Sequence, residues 1–198
     1  MKGRAHKLVF KRRRAGSTDY ALRTKLLRSK IPQLVVRSSN RYVYVQVTNP
    51  MTSGDRVLTS ASSKELASYG WTLGSASIPA AYLVGYLAGL RAVGRGISSA
   101  ILNMGLTTPT KGNKAFAVIG GAVEAGLEVP KEEDVLPTQD RLYGRHITDY
   151  IKRVRENNAK QEIQLAHFSR ISKENIDIEA EVKKAKEKIK RAIAEEIK

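Results

Sequence analysis

Hydrophobic positions change their period along this chain, and the changes mark out its elements. From Asp19 to Ser29 the side chains of Leu22, Leu26 and Leu27 recur at helical spacing, with Ser17 or Thr18 as a cap and Asp19 favourable in the first turn. Pro32 ends that helix. The period then falls to two. Gln33 to Arg37 (QLVVR) and Arg41 to Thr48 (RYVYVQVT) are β-branched or aromatic runs joined through Ser38-Ser39-Asn40, which predicts a hairpin. In its second strand Val43, Val45 and Val47 face one side, and Tyr42, Tyr44 and Gln46 the other. Asn49 to Asp55 is turn chemistry, and Arg56 to Ser62 returns as a third antiparallel strand.

A short helix is expected over Lys64 to Tyr69, followed by a Gly/Ser loop around Trp71. Pro79 suits the first turn of a helix running to about Val93 and closed by Gly94 or Gly96. Within it, Gly85 and Gly89 would let the helix approach the sheet closely. Ser99 to Met104 (SAILNM) predicts a buried strand, Leu106 to Asn113 a loop, and Lys114 to Ala125 a helix ended by Gly126. Three antiparallel strands followed by helix, strand and helix predict an α/β fold, a mixed sheet with helices on both faces. Beyond Pro130 the composition shifts. Pro130 to Pro137 is an acidic connector, Arg145 to Asn157 reads as a helix, and Ile176 to Lys198 is amphipathic. There Val182, Ala185, Ile189, Ile193 and Ile197 form a stripe that suits core packing better than a partner. The expected organisation is a basic arm and short helix over 1–30, an α/β domain over 31–130, and a helical extension over 131–198.

Charge sharpens this picture. The net charge over 198 residues is +16, and residues 1–30 alone hold eleven Lys/Arg against one acid, Asp19. The remainder is nearly neutral. Such a distribution selects polyanions as partners, and its position on an arm points to nucleic acid. Lys11 to Arg14 are four adjacent cations placed before the helix cap, so this stretch is expected to lack a stable fold until it meets a phosphate backbone. The loop Thr107-Thr108-Pro109-Thr110-Lys111-Gly112-Asn113-Lys114 precedes a helix N-terminus, which favours an anion, although an ordinary strand–helix connection explains it equally well. Its glycines do not have Walker A spacing. Tyr42 and Tyr44 suit either stacking on bases or packing beneath a helix.

Enzymatic readings fail on their ligands. There is no Cys, which removes thiolate catalysis and Cys-type metal sites and fits a reducing, cytoplasmic setting. Between Tyr20 and Val123 the carboxylates are Asp55 and Glu65 alone, too few for a two-metal nuclease. His6, His146 and His167 are too scattered to form a metal set, and Gly94-Arg95-Gly96 follows a helix, the wrong context for a dinucleotide loop. No metal, cofactor or catalytic residue is expected. The longest apolar run, Ile78 to Leu90, is 13 residues, too short to span a bilayer, so no membrane partner is expected.

Several ordered segments resemble a known family. They are Arg12-Arg-Arg-Ala-Gly-Ser-Thr-Asp-Tyr20, Leu34-Val-Val-Arg37, Asp55-Arg-Val-Leu-Thr-Ser-Ala61, Tyr69-Gly-Trp71, Pro79-Ala-Ala-Tyr-Leu-Val-Gly85, Ala100-Ile-Leu-Asn-Met-Gly-Leu-Thr-Thr-Pro-Thr-Lys-Gly112, Phe116-Ala-Val118 and Gly121-Ala-Val-Glu-Ala-Gly-Leu-Glu-Val-Pro130. Together they are similar to the archaeal form of the L-eighteen family of large-subunit ribosomal proteins, over about residues 10 to 150. The resemblance implies a ribonuclease-H-like α/β sandwich without catalytic carboxylates. It also implies binding to 5S rRNA, contact with 23S rRNA, and a place among neighbouring ribosomal proteins in the central protuberance of the large subunit. Carried over, Lys11, Arg12, Arg13, Arg14, Thr18, Tyr20 and Arg23 would hold 5S rRNA. Arg37, Asn40 and Arg41 at the hairpin would add contacts, as would Thr107, Thr108, Thr110, Lys111, Asn113 and Lys114 at the helix start. Ala15 and Ser17 depart from the charged residues expected of the family's Arg-rich arm. A free RNA chaperone or processing factor is the competing class.

Overall fold

The computed structural model describes residues 8–51, 54–156 and 177–196. His6, His167, Ile176, Ile197 and the turn residues 52–53 lie outside them. The first element is a single helical turn, α1 (Lys11–Arg14), followed by α2 (Tyr20–Arg28). The cap of α2 is Asp19 rather than Ser17 or Thr18: its Oδ1 accepts from the backbone N–H of Ala21 at 2.9 Å and of Leu22 at 3.1 Å. A carboxylate at this position satisfies two orphan donors and also complements the helix dipole.

Strands β1 (Gln33–Ser38), β2 (Val43–Met51) and β3 (Gly54–Ser62) pair antiparallel in sequence order. β2 and β3 run further than the turn residues at 49–55 suggested, with Pro50 paired opposite Asp55. β1 begins at Gln33, opposite Thr48, so Pro50 lies beyond the β1–β2 ladder and its missing N–H leaves no gap there. β4 (Ile101–Asn103) joins β1 in parallel, giving the order β3-β2-β1-β4, the expected mixed sheet. The Lys64–Tyr69 segment forms only a 3-10 turn, Glu65–Ala67.

Between β3 and β4 runs α3 (Ile78–Gly94), capped by Ser77, and after β4 comes α4 (Lys114–Glu124), capped by Asn113. The valine face of β2 is buried with Leu34, Val36 and Ala61, and α3 and α4 are part of the same core. Gly85 and Gly89 do promote close approach, but to α4 rather than to the sheet. A Cβ at Gly89 would sit 2.7 Å from the Cβ of Ala125, and one at Gly85 would run into the backbone of Val118. Two helices that both bury small residues can pack backbone against backbone, and here they do so on one side of the sheet. The other face is left largely open: Arg37, Tyr44 and Gln46 are exposed, and α2 borders it. Helix coverage is therefore lopsided.

The C-terminal third contains α5 (Gln139–Leu142), α6 (Arg145–Glu156) and α7 (Ile178–Glu196). The stripe of α7, Ile178, Val182, Ala185, Ile189 and Ile193, is buried in the same core as α3 and α4. Amphipathic spacing at three and four residues is thus spent on packing. At this seam Glu124 accepts hydrogen bonds from the Tyr82 hydroxyl and from Lys186. Among the described residues no helix is long and apolar enough to cross a membrane.

Candidate nucleic-acid interface

The cationic stretch before α2 folds more than its charge density suggested. Phe10 O accepts from Arg14 N at 2.9 Å and Lys11 O from Ala15 N at 3.0 Å, closing one turn. Successive side chains on a helix diverge by about 100°, so four adjacent cations point in four directions and repulsion is spread through solvent. All four, Lys11, Arg12, Arg13 and Arg14, are exposed. Gly16 then takes a left-handed conformation, φ 63°, that reverses the chain. Arg12 Nε donates to Thr18 Oγ1 at 2.9 Å, and the rings of Phe10 and Tyr20 lie 5.9 Å apart. These contacts tie the turn to the start of α2.

Between α2 and the ends of β1 and β4 lies a groove of about 810 Å³. It gathers candidates from three separate segments: Arg12, Thr18, Tyr20 and Arg23 from the arm and α2, Arg37 from β1, and Thr107 from the loop after β4. Besides Arg12, which holds Thr18, the other two cations are engaged as well. Arg23 donates to both carboxylate oxygens of Asp55, at 2.9 and 2.6 Å, and that hydrogen bonding raises its pKa further above the ordinary guanidinium value. Arg37 Nη1 donates to Val36 O at 2.8 Å and to Asn103 O at 3.0 Å, while partial burial of the guanidinium, on a side chain otherwise open to solvent, pushes its pKa down. Gly105, in a left-handed conformation, leaves room for this guanidinium; a Cβ there would sit 2.9 Å from Arg37 Cζ.

The remaining candidates lie outside the groove. Asn40 and Arg41 are exposed at the hairpin tip, whose shape is held by Ser39: its hydroxyl accepts from Arg41 N and Tyr42 N and donates to Tyr42 O. Thr108 and Thr110 are exposed on the loop before α4. Lys111 reaches Asp134 at 3.4 Å with both side chains mostly in water, a weak pair that an anion can displace. Asn113 is a structural residue: Oδ1 accepts from Ala115 N at 2.9 Å and Nδ2 donates to Thr108 O at 3.3 Å, so one amide caps the helix and closes the loop. Lys114 is half-buried beside it.

The groove also includes residues that the sequence did not single out as contacts: Leu22, Leu26, Asn103, Met104 and Leu106. Leu22 and Leu26 read as part of an apolar stripe, and Leu22 is 40% exposed. Their spacing told of a helix and not of what it faces. Tyr44 stands exposed on the open sheet face, its ring 6.3 Å from that of Tyr42. No group of three His, Asp or Glu able to hold a metal occurs among the described residues.

Comparison with known proteins adds the final observation. Residues 4–98 match the family model described as ribosomal large subunit proteins 60S L5, and 50S L18. The chain is 46% identical over 187 residues to the large ribosomal subunit protein uL18 of Caldivirga maquilingensis, covering 91% of this chain and 89% of that protein. It is 39% identical over 202 residues to the uL18 of Aeropyrum pernix (98% and 94% covered), and 44% identical over 154 residues to that of Korarchaeum cryptofilum (78% and 79%). The similarity to the first two extends beyond the segment of residues 10 to 150 that carried the resemblance.

Proposed function

Because the chain belongs to the family of ribosomal large subunit proteins 60S L5 and 50S L18, we propose that it binds 5S rRNA and attaches it to 23S rRNA in the central protuberance, beside neighbouring large-subunit proteins. Membership gives it a structural rather than an enzymatic role in the large subunit. It works in the cytoplasm as part of that subunit. The sheet is ribonuclease-H-like in this reading, and residues 1–30, 31–130 and 131–198 act as an RNA-binding arm, an α/β platform and a helical extension.

One observation carries the RNA reading: the groove draws Arg12, Thr18, Tyr20, Arg37 and Thr107 from distant parts of the sequence into one site, with the exposed cations of α1 beside it. Lys and Arg contacts to phosphate supply affinity, while the loops and hairpin tip set the register on a folded RNA. If about six to ten phosphates are neutralised, affinity falls roughly 10³- to 10⁵-fold between about 50 and 200 mM salt.

Removing residues 1–16 tests this. The truncated protein is expected to bind 5S rRNA more weakly and with a shallower dependence on salt. Unchanged affinity and slope would contradict the assignment of the arm. Stable co-sedimentation with large subunits separates this role from that of a free RNA chaperone.

A further inference from the structure

The groove combines two chemistries, and phosphate contacts explain only one of them. Its cations suit a backbone, but its lining is also apolar: Leu22 and Leu106 are 40% and 59% exposed there, with Met104 and Tyr20 nearby. Leucine gains nothing from a phosphate. Covering it with a flat, poorly hydrated ring removes apolar surface from water, and that is the favourable outcome open to such a site. A volume of about 810 Å³ lies within the range of small-ligand pockets.

We propose that this groove receives one unpaired nucleobase of the bound RNA, stacked on the Leu22 and Leu106 side chains, with Arg12 on the adjoining phosphate. The inference rests on the RNA-binding reading above and specifies what that site takes. Charge complementarity and shape act together here. Arg37 is pinned by its two carbonyl acceptors, Val36 and Asn103, which fixes the guanidinium plane and keeps Nε and Nη2 outside those two bonds. Extruded bases are held by stacking against aromatic or apolar side chains or guanidinium planes, with edge hydrogen bonds for selection, and a fixed donor beside an apolar surface supplies both elements. Asn103 is not a reader, because its Nδ2 donates to Gln33 and its Oδ1 accepts from Gly105 N. It is a positioning residue: it anchors the segment that carries Met104 and Leu106.

The test uses the full chain and a set of 5S rRNA transcripts, each lacking the base at one unpaired nucleotide, so that backbone charge is constant. At one position, loss of the base is expected to weaken binding to the native protein by roughly 10-fold, the order set by uncovering one leucine side chain. The same loss should be nearly silent in the Leu22→Ala, Leu106→Ala double variant, whose salt slope should match that of the native protein. Both leucines are partly exposed, and a thermal melt checks that the variant folds. The native protein's response to abasic RNA does not depend on any variant. If 5S rRNA binds but no abasic position weakens it, or if every loss is the same with and without the leucines, the base pocket is refuted while the RNA-binding role stands. If intact 5S rRNA fails to bind, the role falls and this inference with it.

Discussion

Arg23 on α2 grips Asp55 near the start of β3 through both terminal nitrogens, at 2.6 and 2.9 Å, across 32 positions of sequence. Asp55 is one of only two carboxylates between Tyr20 and Val123, and the other, Glu65, is paired with Arg91 at 2.7 Å. Each acid in the middle of the chain is thus covered by an arginine, and α2 is tethered to the β2–β3 hairpin at the edge of the groove.

Replacing Asp55 by Asn should loosen this tether and release Arg23. Both side chains are about one-third exposed, so screening limits the stability loss to about 0.5–1 kcal/mol. RNA affinity should rise, because a freed cation can take a phosphate and a repulsive charge has gone. Thermal melting and 5S rRNA titration of the variant read the two effects, which are expected to have opposite signs.

The packing of α3 on α4 should be intolerant of any side chain at Gly121, where a Cβ would meet the backbone of Tyr82 and Tyr86. Backbone cannot yield as a flexible side chain does. Gly121→Ala is expected to cost about 3 kcal/mol by overpacking, measured as a lowered denaturant midpoint.

At the α4–α7 seam, burial opposes ionisation of Glu124, but hydrogen bonds from Lys186 and Tyr82 outweigh it and hold the carboxyl below its ordinary range. A depressed carboxyl pKa contributes stability above its unfolded value, and the contribution is lost as pH falls through the folded value. Unfolding measured from pH 7 down to pH 3 should therefore show an acid-dependent loss, about 1 kcal/mol after allowance for solvent exposure. Glu124→Gln should flatten that part of the profile.

Neutralising Lys11, Arg12, Arg13 and Arg14 together to Gln should reduce the slope of log affinity against log salt by about three. Stability should hardly change, since these side chains are exposed and none supports the core. Salt titration of filter binding checks the first statement and a thermal melt the second.

Why some of this was legible and some was not follows from the range of the interactions. Val43, Val45 and Val47 announced their face because alternation is local to one strand. The hairpin turn at Ser39 and the end of α4 at Gly126 were equally local. Asp19 was misplaced by one position, since Ser17, Thr18 and Asp19 are all competent caps and only the path of the chain selects among them. Gly85 and Gly89 showed that something approaches closely, but its identity depends on α4, more than 25 residues away. The groove was hidden for the same reason. Arg37 and Thr107 meet because β4 pairs in parallel with β1, and Arg12 joins them through α2, relationships that no single window of sequence contains.

The most direct measurement is a filter-binding titration of the purified full chain against 5S rRNA, with excess tRNA as competitor, at two salt concentrations. Saturable 5S binding that survives the tRNA and weakens steeply with salt is the predicted result. Equal displacement of 5S rRNA by tRNA would reduce the protein to a generic polyanion binder and contradict the account.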